Sequence, residues 1–201
     1  MAAPVEIEVK IAVTSVARAR KILREGKFRR DGSRVFEQNL VLDNAQGNLK
    51  RKGLLLRLRT TGKRGKPGEA LCTFKGPAGE TPSHHKIRIE REFTAGDANE
   101  CLAVFAGIGF HPAFRYEKFR TKFSRRRRGA GKQGHIVLDE TPMGVFLELE
   151  GPAAWIDRTA KDLGFSRNDY ITMSYARLWE QWRDEHAIPA GDMVFESGRR
   201  G

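Results

Sequence analysis

A strict alternation of apolar and charged residues constrains the fold of this chain more than any other feature of its sequence. In the first segment Val5, Ile7, Val9 and Ile11 are separated by Glu6, Glu8 and Lys10. The alternation returns in residues 56–59 and 86–93. A period of two predicts β-strands, each with one apolar face and one charged face.

Further segments with strand character lie at residues 35–42, 71–75, 116–123, 136–140 and 145–150, which makes about eight candidate strands separated by turn residues. Helices are fewer. Capping residues and apolar spacing predict them from Thr14 or Ser15 to about Glu25, from Asp97 to Gly107 or Gly109, from Pro152 to about Leu163 and from Met173 to about Asp184. The fold class is therefore α+β, with strands dominant.

The charged strand faces carry both signs. The acidic set is Glu6, Glu8, Glu90, Glu92, Asp139, Glu148 and Glu150, and the basic set is Lys10, Arg57, Arg59, Lys75, Lys86, Arg88, Lys118 and Arg120. If the sheet closes on itself with its apolar face outward beneath the helices, these side chains line the lumen. Charges confined in this way are costly unless they are paired or occupied by a ligand.

One ligand class satisfies both sets at once. Arginine and lysine hold phosphate oxygens, and clustered carboxylates hold a hard divalent cation that bridges to the phosphate. The alternative is an ordinary solvated face with cross-strand ion pairs. The recurrence of the pattern over several strands favours the metal and polyphosphate interpretation.

Composition indicates the class of binding partner and the cellular compartment. The formal net charge of +12 indicates an anionic partner, such as nucleic acid, a phosphate-rich small molecule or an acidic membrane. The two cysteines, Cys72 and Cys101, lack metal-ligand spacing and are expected to be reduced. Because the chain has neither a signal-peptide pattern nor an apolar run of the ~20 residues that span a bilayer, we expect a cytoplasmic protein without a membrane partner.

Short motifs follow one another along the chain: ExExK at residues 6–10, LRxR at 56–59, Thr-Phe-Lys-Gly-Pro at 73–77, RxExE at 88–92, KxR at 118–120, and a closing pair of strands at 138–140 and 144–151. Each is weak alone. As an ordered set they resemble the CYTH superfamily of triphosphate tunnel metalloenzymes. The resemblance implies a closed eight-stranded antiparallel β-barrel flanked by helices, with Mg2+ or Mn2+ as cofactor.

The resemblance also implies roles for single residues. The metal ligands would be Glu6, Glu8, Glu148 and Glu150, with Glu90, Glu92 and Asp139 completing or supporting the acidic set. The triphosphate would be bound by Arg57, Arg59, Lys75, Lys118 and Arg120, with Arg88 as a further contact. Glu6, Glu8 and Lys10 form the predicted catalytic group, in which Lys10 either contacts phosphate or keeps the carboxylates ionised.

The predicted substrate is a small molecule that bears a triphosphate: ATP, tripolyphosphate or thiamine triphosphate. Residues 114–120, 139–146 and 170–175 are similar to cyclase-type members and favour a class IV adenylyl cyclase, which converts ATP to cyclic AMP and pyrophosphate. Inorganic triphosphatase and thiamine triphosphatase are the alternatives within the family. A non-catalytic module that binds polyphosphate or nucleotide is the alternative outside it. A nucleic-acid partner is not expected, and a homodimer, common in the family, is left open.

The remaining expectations concern boundaries and loops. We predict one domain over residues 1–185 and a disordered tail over 186–201. Basic hairpin loops are expected at residues 61–69 and 125–134. The second holds Arg125 to Arg128 and a GxGxxG pattern, whose context fits neither a dinucleotide site nor a P-loop. We expect a solvated loop there, with attraction of anionic substrate as a second role.

Overall fold

The computed structural model describes residues 5–63, 66–80, 84–125 and 134–196. The strands are β1 (Val5–Val13), β2 (Arg29–Arg30), β3 (Val35–Asp43), β4 (Leu55–Lys63), β5 (Lys66–Lys75), β6 (Gly79–Glu80), β7 (Lys86–Ala95), β8 (His111–Ser124), β9 (His135–Thr141) and β10 (Gly144–Glu150). The helices are α1 (Val16–Glu25), α2 (Asn48–Arg51), α3 (Ala98–Gly107), α4 (Ala153–Asp162) and α5 (Tyr175–Glu185), and Arg167–Asp169 forms a 3-10 turn.

The long strands close into a barrel. Their order is β1-β10-β9-β8-β3-β4-β5-β7, and β7 pairs back with β1, so that no long strand is left with a free edge along its whole length. Every pairing between named strands is antiparallel. The predicted closed eight-stranded antiparallel barrel is therefore confirmed. The short strands β2 and β6 extend the sheet beside β8 and β7.

The apolar face of the sheet is outward, as the alternation predicts. Val9 and Ile11 of β1 pack with Leu147 and Leu149 of β10 in a core that α1 and α4 cover. α1 contributes Ala19, Ile22 and Leu23 as its buried side. Because the side-chain period of a strand is two, covering this face places Glu6, Glu8 and Lys10 inside the barrel.

Local capping sets the ends of the helices. Ser15 Oγ accepts a hydrogen bond of 3.1 Å from the Arg18 amide at the start of α1. Asp97 caps α3 and Ser174 caps α5 in the same manner. Each cap satisfies amide groups that a helix leaves unpaired in its first turn. The four predicted helices are confirmed to within about two residues at each end.

One end of the barrel is closed by α5. The Tyr175 ring lies 5.6 Å from Phe146 and 6.2 Å from Tyr116, two residues that project inward from β10 and β8. Trp179 and Met193 complete this cluster. The aromatic packing covers that end of the barrel. At the opposite end the side chain of Glu150, which lines the cavity, is 38% exposed, so the lumen reaches solvent there.

The C-terminal segment differs from our expectation. Within the predicted tail, residues 186–196 are described and residues 193–195 are packed against the barrel, whereas residues 197–201 lie outside the described residues. The Met193 amide donates to the Arg115 carbonyl at 3.0 Å, and the Met193 carbonyl accepts from the Glu117 amide at 2.8 Å. The physical reason is that β9 pairs with β8 only from Phe119 onward. The segment occupies the edge of β8 that would otherwise stay open.

The first predicted loop is also shorter than expected. β4 continues to Lys63 and β5 begins at Lys66, with backbone pairing maintained up to Lys63 and Lys66. Pairing along the hairpin thus overrides the low strand propensity of these glycine- and lysine-rich residues. Residues 64–65 and, in the second predicted loop, residues 126–133 lie outside the described residues. Among the described helices, none has the length and apolar character needed to cross a membrane.

The packing of the C-terminal segment can be tested with one substitution. Met193 is completely buried, so Met193→Ala is expected to lower the free energy of unfolding by about 2–4 kcal/mol. Urea unfolding followed by circular dichroism measures the change. Met173→Ala is the matched control, because more than a third of that side chain is exposed. Equal stability of the two variants would contradict the docking of the segment.

Candidate active site

The barrel encloses a cavity of about 160 Å3. Its wall is formed by Glu6, Glu8, Lys10, Leu55, Arg57, Arg59, Lys75, Lys86, Arg88, Glu90, Glu92, Tyr116, Lys118, Arg120, Glu148, Glu150, Ser174 and Tyr175. The structure therefore brings together all of the predicted site residues except Asp139. Leu55 is the single aliphatic residue of this wall, so the cavity is suited to a compact, highly charged ligand.

Carboxylates and cations are unevenly distributed around the lumen. β1, β7 and β10 supply the carboxylates Glu6, Glu8, Glu90, Glu92, Glu148 and Glu150, which we call the carboxylate wall. β4 and β8, on the opposite side of the strand order, supply Arg57, Arg59, Lys118 and Arg120, which we call the cation wall. β1 and β7 also supply Lys10, Lys86 and Arg88, so the carboxylate wall has an excess of negative charge and not negative charge alone.

Lys10 is the centre of the carboxylate wall. Its ammonium lies 3.3 Å from Glu8 Oε1 and 3.1 Å from Glu148 Oε1. Although burial opposes ionisation, these two carboxylates raise the pKa of Lys10 above its ordinary value. Burial likewise opposes the ionisation of Glu8, but Lys10 and Lys86 hold the pKa of that carboxyl well below its usual range. The group stays charged because each member neutralises another.

In a second part of the carboxylate wall, the carboxylates outnumber the cations that could pair with them. Lys75 is paired with Glu6 and lies 3.2 Å from Glu90 Oε1. Burial and the nearby Glu6 raise the pKa of Glu90 to about 7, even though Lys75 acts in the other direction. Burial and the charges of Glu6 and Glu8 raise the pKa of Glu150 to about 7. This corner of the lumen therefore holds protons that a metal cation could replace.

The cation wall is held in place by neutral hydrogen bonds as well as by charge. Arg57 donates to Thr73 Oγ1 at 3.0 Å and to Tyr116 Oη at 3.3 Å. Thr73 in turn donates to Glu92 Oε1 at 2.6 Å. The Nε–H of Arg57 is buried without a partner among the described residues. Arg57 also lines the cavity, where a guanidinium group is suited to an anionic ligand.

Asp139 has a different place from the one expected. It is completely buried behind the cavity wall, where its carboxylate lies 2.8 Å from Lys118 Nζ and binds Arg120 through two hydrogen bonds. Tyr175 Oη also donates to it, at 2.8 Å. Its oxygens are thus used within the protein, which suits a residue that positions Lys118 and Arg120 for the ligand.

Sequence reasoning missed several members of the site. Glu37 of β3 is 3% exposed, and its carboxylate lies 3.6 Å from both Arg59 Nε and Lys118 Nζ. Spacing from Asn39, which accepts a 3.1 Å hydrogen bond from Arg59, was the signal that could have found it. Tyr116 and Tyr175 were assigned to elements but not to the lumen. Tyr175 carries Lys10 and Lys118 over its ring, at 5.2 and 4.9 Å from the centroid.

Arg88 and Lys86 bind mainly to other groups of the cavity wall. Arg88 donates to the Gly76 carbonyl at 2.7 Å and to the Gly53 carbonyl at 2.8 Å, which ties the ends of two hairpins to β7. Lys86 lies 2.8 Å from Glu8 Oε1. Both side chains line the cavity, so the predicted phosphate contact of Arg88 would use the donors that these carbonyls leave free.

The carboxylate wall fits a hard divalent cation. Among the described residues, no three carboxylate, histidine or cysteine side chains already form a metal cage. Magnesium commonly needs only one or two carboxylates, because substrate phosphates and waters complete its octahedron. Glu6, Glu90 and Glu150 are the residues that would hold it, because burial and the charge of Glu6 raise the pKa values of the last two and a cation would offset both effects.

Comparisons with known proteins agree with this geometry. The family model described as the CYTH domain matches residues 4–175. A solved structure described as a "putative adenylate cyclase" from Vibrio parahaemolyticus is 18% identical, covers 89% of this chain and 99% of its own, and gives a TM-score of 0.71. A protein of Pyrococcus horikoshii is 19% identical, with 86% and 98% coverage and a TM-score of 0.67.

A third neighbour comes from Hippeastrum. It is described as a "putative adenylyl cyclase" that reveals a dominant triphosphatase activity, and it is 16% identical over 88% of this chain and 95% of its own, with a TM-score of 0.62. No curated protein matches the sequence. At these identities the neighbours establish the fold, and the family model establishes the family.

The difference in pKa between the paired and the unpaired carboxylates can be tested without substrate. The pKa of Glu90 is raised from 4.5 to about 7 in the folded protein. The stability that protonated Glu90 contributes is therefore lost as the pH rises from its pKa in the unfolded chain to its pKa in the folded protein. Above pH 7 the ionised carboxylate lowers the free energy of unfolding. Glu90→Gln is expected to stabilise the metal-free protein at pH 8 by of order 1–2 kcal/mol and to change little at pH 4.

Glu8→Gln is the matched control, because the pKa of Glu8 is lowered and its ionised form is the one that folding favours. This variant is expected to destabilise the protein at pH 8. Thermal unfolding in the presence of a chelator measures both effects. Shifts of the same sign in the two variants would contradict the division of the carboxylate wall into a paired part and an unpaired part.

Proposed function

Because the chain belongs to the CYTH domain family, whose members act on phosphoanhydrides with divalent metals, we propose that it hydrolyses a triphosphate in this tunnel. The observation that carries the proposal is the mixed charge of the lumen, in which the cation wall lies across from the carboxylate wall and the lysines paired with it. A triphosphate with a bound divalent cation is complementary to both walls at once.

The cation wall would bind the phosphate oxygens. Arg57 and Arg120 present planar guanidinium groups, which can each contact two oxygens. Lys118 is almost completely buried, and its charge acts in a space from which most water is excluded. Asp139 and Glu37 hold these cations in a fixed arrangement. The charges are therefore arranged before substrate binds, which is the condition for stabilising negative charge in a transition state.

The carboxylate wall would hold the metal, through Glu6, Glu90 and Glu150 with Glu8 and Glu148 nearby. When bound there, a divalent cation neutralises phosphate charge and orients the reacting groups. Lys10 pairs with Glu8 and Glu148 and favours the ionised form of both carboxylates. In the hydrolysis, a water oxygen bonds to phosphorus, the bridging P–O bond breaks with its electron pair on the leaving phosphate, and the water proton is released to solvent.

The composition of the wall favours hydrolysis over cyclisation. A cyclase must seat adenine, which needs an apolar or aromatic surface. Leu55 is the one aliphatic residue of the described wall. Of the two tyrosines of the wall, Tyr116 has its ring stacked on Phe114, and Tyr175 has Lys10 and Lys118 over its ring. These groups leave little surface for a base within the lumen.

Adenylyl cyclase activity is the second candidate. The sequence segments at residues 114–120, 139–146 and 170–175 favour it, and the Vibrio neighbour is described in those terms. Both candidates use the same walls and the same metal. They differ in the nucleophile, which is water for hydrolysis and the ribose 3'-hydroxyl of ATP for cyclisation.

A product assay distinguishes the candidates. The protein is incubated with Mg2+ or Mn2+ and, in separate reactions, tripolyphosphate, ATP and thiamine triphosphate. Orthophosphate without cyclic AMP is expected. Cyclic AMP with pyrophosphate from ATP would instead establish the cyclase, and no product from any substrate would favour a non-catalytic binding module.

Substitution of the carboxylate wall tests the role of its residues. Glu6→Gln and Glu148→Gln keep the side-chain volume and are expected to lower kcat by at least ~100-fold, the scale on which a preorganised charge contributes. Glu185→Gln, on the exposed end of α5, is the control. Circular dichroism confirms that each variant is folded. Wild-type turnover in both tunnel variants would exclude the carboxylate wall from the reaction.

A further inference from the structure

Positive charge is concentrated on the outside of the barrel as well as inside it. Residues 16–31, which hold α1 and β2, contain seven arginines and lysines and two carboxylates, Glu25 and Asp31. This is an excess of five positive charges, against +12 for the 201 residues of the chain. All seven cations are exposed. A short outer segment therefore carries a large share of the net charge and has no part in the lumen wall described above.

α1 and α4 present cations to solvent because the other side of each helix belongs to the core. α1 buries Ala19, Ile22 and Leu23, and α4 buries Trp155, Ile156, Thr159 and Ala160. With about 3.6 residues per turn, Arg20 and Arg24 lie on the side of α1 opposite its buried residues. Arg158 and Lys161 lie in the same way on α4, and all four are exposed. The two helices pack on one core cluster, so their outer sides form one surface.

The ends of the two helices meet on this surface. Gly26 at the end of α1 is so close to Leu163 at the end of α4 that a Cβ on Gly26 would lie 2.4 Å from Leu163 Cδ2. Arg30 of β2 is on the same outer side, because it pairs directly with Phe123, a residue of the core beneath α1. The exposed cations on this surface, which we call the basic face, are Arg20, Arg24, Arg30, Arg158 and Lys161.

The carboxylates of α1 and α4 do not neutralise the basic face. Glu25 lies 3.9 Å from Lys21, and Asp162 lies 3.3 Å from Arg125. Asp157 is paired with Arg167. In the described parts of the chain, no residue of the basic face forms an ion pair with a carboxylate. Five exposed cations without such partners attract an external polyanion.

The side chains around the basic face favour one class of polyanion. Among residues 16–31 and 153–162, no large apolar or aromatic side chain is exposed. A helix that binds a membrane surface inserts an apolar side into it, and α1 and α4 use theirs in the core. A single strand is bound largely by stacking of its bases on exposed rings. The phosphate backbone of a duplex requires neither, because arginine and lysine can contact it from outside the grooves.

We propose that the basic face binds the phosphate backbone of a nucleic-acid duplex without regard to sequence. α1 has ten residues and is about 15 Å long. Successive phosphates of one strand are about 3.4 Å apart along a duplex axis, so the face spans several of them. A nucleic-acid partner was not expected from the sequence, because the charge comes from three separate segments that only the fold brings together. The face lies outside the barrel, and the inference does not depend on the triphosphate reaction.

Fluorescence anisotropy with labelled duplexes of about 20 base pairs, DNA and RNA in separate titrations, tests the proposal. The duplex ends are hydroxyls, so that no terminal phosphate can enter the tunnel. Wild-type affinity is expected to fall steeply between about 50 and 200 mM salt. R20Q/R24Q/K161Q is expected to weaken binding at least ~10-fold at the lower salt. It is also expected to reduce the slope of log affinity against log salt by about 2–3, since each phosphate contact contributes about 0.9.

The matched control removes the same number and types of exposed cation from other parts of the surface. It is K52Q/R91Q/R177Q, with one residue at the end of α2, one on β7 and one on α5. This variant is expected to keep most of the wild-type affinity and salt slope. Thermal unfolding confirms that both triple variants are folded.

Binding of either duplex, with the loss confined to R20Q/R24Q/K161Q, supports the proposal, and the tighter duplex identifies the nucleic acid. Equal losses in the two triple variants would overturn it, because net charge rather than this face would then attract the duplex. Absence of duplex binding at the lower salt, or affinity that salt does not change, would overturn it as well. So would tighter binding to a single strand of the same length, or binding to phosphatidylserine vesicles and to neither duplex.

Discussion

Confining many charges of both signs inside a closed barrel is the constraint on which the rest of this structure depends. Removing an ion from water is costly, and one partner alone seldom offsets the cost. The barrel meets this condition with shared contacts: Lys10 lies between Glu8 and Glu148, and Asp139 binds both Lys118 and Arg120. Each cation is thereby held at a defined point in a space shielded from bulk water, where its field on a ligand is strong.

Because the two walls pair with each other, the charged groups of the lumen stay in place when no ligand is bound. A metal and a polyphosphate would take over contacts that the two walls make with each other. The exception is the corner around Glu90 and Glu150, where carboxylates outnumber nearby cations and hold protons. Binding a divalent cation there relieves repulsion, so the metal and the phosphate are expected to assist each other.

Much of this arrangement was predictable from the sequence, because strand periodicity assigns each side chain to a face. Alternation placed Glu6, Glu8 and Lys10 on one strand face, and the closed barrel that the family resemblance implied placed that face in the lumen. How deeply a side chain lies within the barrel was not predictable. Asp139 follows the same alternation as Glu148, but Tyr175 covers it, and this contact joins residues that are distant in sequence. Glu37 was missed because its strand alternates less regularly, and Met193 because the edge it covers exists only in the closed barrel.

The central claim is that the two walls bind metal and triphosphate as one unit, and calorimetry tests it most directly. Tripolyphosphate is titrated into the protein first in excess chelator and then at increasing Mg2+ concentrations. The fit to the binding curves includes the formation of the Mg2+–tripolyphosphate complex in free solution. The account predicts that Mg2+ tightens tripolyphosphate binding and that tripolyphosphate tightens Mg2+ binding by the same factor. Tripolyphosphate affinity that is identical in chelator and in Mg2+ would contradict it and would leave a simple anion-binding barrel.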